Sequence, residues 1–151
     1  MNLIQLLQER SNEITEAACE AMARSHAKSY EKAGIEHIHQ RIRALYVLTV
    51  RAVKEKNLGP MVAHAETTAR ERFNAGYDLW EVQTAFNVLE ESIWTRVLKE
   101  LPPNDYGEAL GMVSTVLGAG KDTLARRYVS LASKMKAPPL NLQSLFSGSD
   151  G

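Results

Sequence analysis

Four histidines are the first residues whose chemistry could define a function: His26, His37, His39 and His64. His39 and His64 lie at the margins of predicted apolar helix faces, so the neutral imidazole of either could ligate a haem iron. However, the sequence contains no Cys-x-x-Cys-His attachment motif, and neither histidine is centred in an apolar stripe with a clear partner. A boundary or surface position is therefore the favoured interpretation, and haem ligation is the weaker alternative.

The other reactive side chains do not have the spacing of a catalytic or metal site. His37 and His39 are two residues apart and would point to different sides of a helix. Cys19 follows two alanines, which favours a packed thiol over a nucleophile. Glu90 and Glu91 are expected at a solvated helix edge. We therefore predict a protein that is not an enzyme and has neither a metal site nor a cofactor.

Small residues follow a helical period in the last long segment of the chain. Gly107, Gly111, Ser114 and Gly118 are separated by steps of four, three and four residues. Each glycine inside a helix costs about 1 kcal/mol relative to alanine, so this stripe requires a reason. Small side chains allow a second helix to approach closely. Two interpretations stay open: an interface with a second copy or a partner, and a tight crossing within the domain.

The elements that carry these residues are predicted from prolines, glycines and apolar periodicity. Breaks at Gly34, Gly59–Pro60, Gly76 and Pro102–Pro103 leave segments of roughly 2–33, 35–57, 60–75, 78–101 and 104–136. Apolar residues in them recur at three- and four-residue steps, as in Leu79, Val82, Phe86, Leu89, Ile93 and Val97. Asp78 and Glu81 form a capping-box pattern. We predict an all-α domain of five to six helices over residues 1–136, with a break near Ser11–Asn12.

Residues 137–151 form a tail of different composition. Pro138 and Pro139 end the last predicted helix, and small polar residues finish the sequence. The tail nevertheless contains four large apolar residues, namely Leu140, Leu142, Leu145 and Phe146. They favour a docking motif, on the domain itself or on a partner protein, over a plain flexible end.

Composition excludes several classes of function. The chain has 151 residues, 18 Lys and Arg against 18 Asp and Glu, and one cysteine. Zero net charge argues against a nucleic-acid-binding protein, and the basic stretches in residues 41–56 and 121–136 are expected to be solvated faces. No apolar run is long enough to span a membrane, and charges at Glu9 and Arg10 interrupt the start too early for a secretion signal. We expect a cytoplasmic protein.

Residues 69–86 (ARERFNAGYDLWEVQTAF) and Leu89–Trp94 carry a family resemblance. Together with Ile14–Ala17 and Ile42–Leu45, they resemble the RsbR/RsbRD N-terminal (RsbT co-antagonist) domain family. The resemblance implies a globin-like, all-helical sensory domain, usually without haem, that dimerises and regulates a signalling output such as a stress response. In familiar members the domain precedes a STAS domain or a histidine-kinase module, and no such module follows in this sequence.

The resulting hypothesis is a regulatory or sensory domain in bacterial signal transduction. It would act as a homodimer through contacts with a protein partner, and a small apolar ligand between its helices would be compatible with that role. One alternative is a globin-like sensor that binds haem or another small ligand. The other is a helical accessory subunit docked into a larger complex through its tail.

Overall fold

The structure, a computed structural model, describes residues 1–136. The predicted tail, with its apolar residues Leu140, Leu142, Leu145 and Phe146, lies outside the described residues. The boundary between domain and tail therefore stays a prediction.

The described part of the chain is all-α, as predicted. It contains seven α-helices and one short 3-10 turn at Pro103–Asp105, and no strand occurs between residues 1 and 136. The helices are α1 (Leu3–Glu9), α2 (Ser11–Arg24), α3 (Lys28–Ala33), α4 (Ile35–Glu55), α5 (Gly59–Asn74), α6 (Leu79–Glu100) and α7 (Tyr106–Lys136). The globin-like arrangement stays a prediction.

The helix count exceeds the predicted five to six because the first segment contains three helices. The break between α1 and α2 falls at Arg10, next to the predicted Ser11–Asn12. A second break follows α2, where His26 adopts a left-handed conformation with φ of 55°. Such a backbone conformation ends a helix, and it is uncommon for a residue other than glycine, so the sequence pattern did not indicate it.

Local sequence explains where the longer helices begin and end. Gly34 and Gly76 have φ values of 99° and 85°, which glycine adopts without steric cost, and they separate α3 from α4 and α5 from α6. Pro60 occupies the first turn of α5, where its missing N–H costs nothing. The Glu81 carboxylate accepts a hydrogen bond from the Asp78 N–H at 2.9 Å, as the predicted capping box requires.

The core is built around α6 and α7. Leu89, Ile93 and Val97 on α6 are fully buried, as are Val113 and Leu117 on α7. Helix α7 packs mainly on α5 and α6, and α2 packs mainly on α6. The apolar face predicted for residues 79–97 is therefore the face that enters the core.

Helices approach one another closely at Gly120 on α7. A Cβ at this position would lie 2.6 Å from Cε2 of Phe86 on α6 and 3.1 Å from Sδ of Met61 on α5. Both neighbouring residues are buried, and their side chains would have to shift to admit a Cβ at this position. Gly120 is thus the residue that lets three helices meet.

We expect Gly120→Ala to destabilise the domain by about 1–3 kcal/mol, because the added methyl overpacks the crossing. Val129→Ala is the control on the same helix. Val129 is 63% exposed and lies outside the glycine stripe, so its truncation should change stability by less than about 0.5 kcal/mol. Urea unfolding of the two variants at one protein concentration measures both effects. Equal stability of the two would contradict the account of the crossing.

Candidate functional site

The small-residue stripe of α7 lies beside a stripe of α6 on the outside of the helix pair. Residues 87, 90, 94 and 98 share one side of α6 by helical spacing. Glu90 meets Ser114 of the α7 stripe, since the Ser114 hydroxyl donates to Oε2 of Glu90 at 2.9 Å. We call this surface the outer α6–α7 face, comprising Asn87, Glu90, Trp94, Leu98, Gly107, Gly111, Ser114, Gly118 and Lys121.

The centre of the outer α6–α7 face is polar and internally paired. Lys121 Nζ donates to Oδ1 of Asn87 at 3.0 Å and to Oε1 of Glu90 at 3.1 Å. Glu90 is only 7% exposed, so its predicted position at a solvated edge was wrong, whereas Glu91 is exposed as expected. Ser114 and Lys121 bury Glu90, and they come from a helix more than twenty residues away in sequence.

The three glycines of the outer α6–α7 face have free space where a side chain would lie. An added Cβ at Gly107, Gly111 or Gly118 would meet no atom within 4 Å in the described part of the chain. Packing among residues 1–136 therefore does not require glycine at these positions.

Two large apolar side chains lie next to these glycines. Trp94 is 37% exposed and Leu98 is 52% exposed. They follow Glu90 by one and two helical turns, on the side of α6 that runs past the first half of α7. Tyr106, at the start of α7, donates its hydroxyl to the Leu98 carbonyl at 2.9 Å, which places this end of the face at the α6–α7 connection. Exposed large apolar side chains on the same face as a stripe of glycines are typical of a protein interface.

A second feature is a cavity of about 160 Å³ between α3, α4, α5 and α6. Its polar lining includes Arg41, Arg72 and His64, and its apolar lining includes Val82 and Phe86. Burial, reinforced by the Arg72 guanidinium, lowers the pKa of His64, so its imidazole is neutral at pH 7. The His64 Nε2 lies 3.3 Å from the Thr68 hydroxyl.

Of the two candidate haem ligands, the structure places only His64 in this cavity. His39 is half-buried on α4 and does not line it. The cavity is also smaller than the roughly 300–1,000 Å³ of typical cofactor sites. Among the described residues, no group of three or more His, Cys, Asp or Glu side chains is placed to hold a metal ion.

Cys19 is a buried thiol on α2. Burial raises its pKa to about 11, so the nucleophilic thiolate is scarce at neutral pH. Its location agrees with the packed thiol that the neighbouring alanines indicated.

One polar residue has a role that the sequence did not reveal. Besides capping α6, the buried carboxylate of Glu81 accepts hydrogen bonds from the Ser29 N–H at 2.7 Å and the Ser29 hydroxyl at 2.8 Å. Burial alone would raise the pKa of Glu81, but the three hydrogen bonds from Ser29 and Asp78 lower it below its ordinary value. Glu81 thereby ties α3 to the start of α6. The local sequence pattern indicates the helix cap, but it does not indicate the contact with Ser29.

A family model described as the RsbT co-antagonist protein rsbRD N-terminal domain matches residues 11–131. The chain belongs to this family. No curated protein and no solved structure matches the chain. Membership agrees with the resemblance seen in the sequence, and it identifies the chain as a regulatory domain of the type found in stressosome-related proteins. No helix in residues 1–136 has both the length and the apolarity needed to cross a membrane.

We expect Glu81→Gln to reduce the free energy of unfolding by about 2 kcal/mol at pH 7, because an amide replaces the charged acceptor of three hydrogen bonds. Since the folded-state pKa of Glu81 lies below its ordinary value of 4.5, the stabilisation is complete above that value and is lost as pH falls through the folded pKa. The difference between variant and unaltered protein should thus shrink in acid. Chemical denaturation at pH 7 and pH 3 measures it.

Glu91→Gln is the control for this comparison, because Glu91 is exposed on the same helix. It should change stability by less than about 0.5 kcal/mol at either pH. A Glu81→Gln effect that is equally large at both pH values would show that the charge of Glu81 is not what stabilises the fold.

Proposed function

We propose that this chain is a non-enzymatic regulatory domain that forms a homodimer through the outer α6–α7 face. In this role it senses a condition or ligand and transmits the change by contact with a partner protein. Family membership supports a regulatory role. The observation that carries the dimer is the open glycine stripe next to exposed Trp94 and Leu98.

The shape of the face suits a symmetric pair. In a twofold dimer the same patch meets itself, so a protruding group must find a recess on the same surface. Trp94 and Leu98 supply the protruding apolar groups, and Gly107, Gly111 and Gly118 supply the recess. Glycine permits the closest approach of a partner helix, and the propensity cost of three helical glycines then has a physical reason.

The charges of the face are also compatible with burial. Glu90 and Lys121 are paired within one copy, at 3.1 Å. A partner covering them would therefore not leave an isolated buried charge, which is the costly outcome at interfaces. The one remaining hydrogen-bond donor of Lys121 is available to the partner copy and would favour one register of the two helices.

We expect the unaltered protein to be a dimer and Gly111→Leu to be a monomer, because a leucine side chain would fill the recess. Trp94→Ala should raise the dimer dissociation constant at least about tenfold, as truncating an interface tryptophan commonly costs 2 kcal/mol or more. Size-exclusion chromatography with light scattering over a concentration series measures both, and circular dichroism checks that the variants are folded.

Val47→Ala is the matched control, since Val47 is 60% exposed on α4, away from the outer α6–α7 face. It should leave the dissociation constant unchanged. A monomeric unaltered protein at every concentration, or a dimer that tolerates Gly111→Leu, would refute the proposed interface.

A further inference from the structure

The side chains that line the cavity between α3, α4, α5 and α6 carry a net positive charge. Two arginines, Arg41 and Arg72, line it together with the uncharged side chains of Tyr30, Gln40, His64 and Thr68. None of the described residues that line it is acidic. A cavity with two cations and no lining carboxylate has a positive potential, which attracts an anion.

Arg72 is largely buried. Its side chain is 16% exposed, and its Nε is shielded from solvent without a hydrogen-bond partner in the described part of the chain. The nearest carboxylate is that of the adjacent Glu71, with Oε2 3.6 Å from Nη1, and the Glu71 side chain is 62% exposed. A buried N–H without a partner costs free energy, which an accepting oxygen would recover.

The second cation, Arg41, lies against the same tyrosine ring as Arg72. Arg41 donates from Nη1 to the Tyr77 hydroxyl at 2.7 Å. Its guanidinium lies 5.3 Å from the centre of the Tyr77 ring, and that of Arg72 lies 5.7 Å from the same centre. The ring faces partly offset the cost of bringing two like charges together, and an anion would offset the remainder.

The remaining lining is apolar. It consists of Ala44 and Leu45 on α4 with Val82, Ala85 and Phe86 on α6. The volume of about 160 Å³ is close to that of an engineered cavity that holds benzene, roughly 150 Å³. The cavity therefore has room for an apolar body of about that size, and because it is partly open to solvent it can also admit an anionic group.

We propose that this cavity binds a small organic carboxylate of about the size of benzoate. The carboxylate accepts hydrogen bonds from Arg72 and Arg41, a geometry that guanidinium groups suit because they can donate in parallel to two oxygens. The apolar body lies against Val82, Ala85 and Phe86. This proposal goes beyond the regulatory dimer, and it does not depend on the outer α6–α7 face.

The test is a titration of the full ¹⁵N-labelled chain with benzoate, followed by amide NMR shifts. We expect saturable shifts centred on α4, α5 and α6. Benzamide has the same size without the charge, and it should bind at least about tenfold more weakly, since hydrogen bonds to a charged acceptor are the stronger ones. Inorganic phosphate has the charge without the apolar body and should not saturate.

Arg72→Gln should weaken benzoate binding at least about tenfold and leave benzamide binding unchanged. Arg51→Gln is the matched control, because Arg51 is 54% exposed and paired with Glu55 elsewhere on α4. It should bind benzoate as the unaltered chain does. If Arg72→Gln fails to fold, the comparison of benzoate with benzamide on the unaltered chain decides whether the cavity recognises the carboxylate charge.

Three results would overturn the proposal: no saturable benzoate binding, equal affinity for benzoate and benzamide, or phosphate binding as tight as that of benzoate. Repeating the benzoate titration on Gly111→Leu separates this proposal from the dimer. Unchanged binding by a monomeric variant would show that the cavity acts independently of the outer α6–α7 face, and a missing dimer in the unaltered chain would leave the carboxylate result standing.

Discussion

The close crossing at Gly120 is the constraint on which the arrangement of the other helices depends. Because a hydrogen atom replaces a side chain there, α7 can approach Phe86 of α6 and Met61 of α5 closely enough to bury its apolar face. That orientation turns the opposite stripe of α7, with its three open glycines, toward the outside of the helix pair. The core and the outer α6–α7 face are therefore two consequences of one helix contact.

The second constraint is a set of hydrogen bonds accepted by the carboxylate of Glu81. This carboxylate joins the start of α6 to Ser29 of the short helix α3. A helix of six residues is not stable by itself, so α3 requires tertiary contacts of this kind. The link also supports the placement of Tyr30, the buried aromatic residue that follows Ser29, at the cavity that contains Arg41 and Arg72.

The outer α6–α7 face and the arginine cavity share α6. Glu90 and Trp94 belong to the face, whereas Val82 and Phe86 line the cavity from the preceding turns of the same helix. An occupant of the cavity would thus contact the element that also contributes to the proposed interface. Shared use of one rigid helix gives a regulatory domain a short physical path between a ligand and a partner.

The sequence by itself determined the all-α class, the bounds of the longer helices and the core face of α6, since these follow from prolines, glycines and a period of three to four residues. Only the tertiary structure decided that Glu90 is buried, that Gly120 makes the tight crossing, and that Arg41 and Arg72 share one cavity. The physical reason is distance along the chain. Capping and periodicity act between residues within a few turns, whereas the contacts of Glu90, Gly120 and Arg72 join helices about twenty to sixty residues apart, for which this sequence carries no local signal.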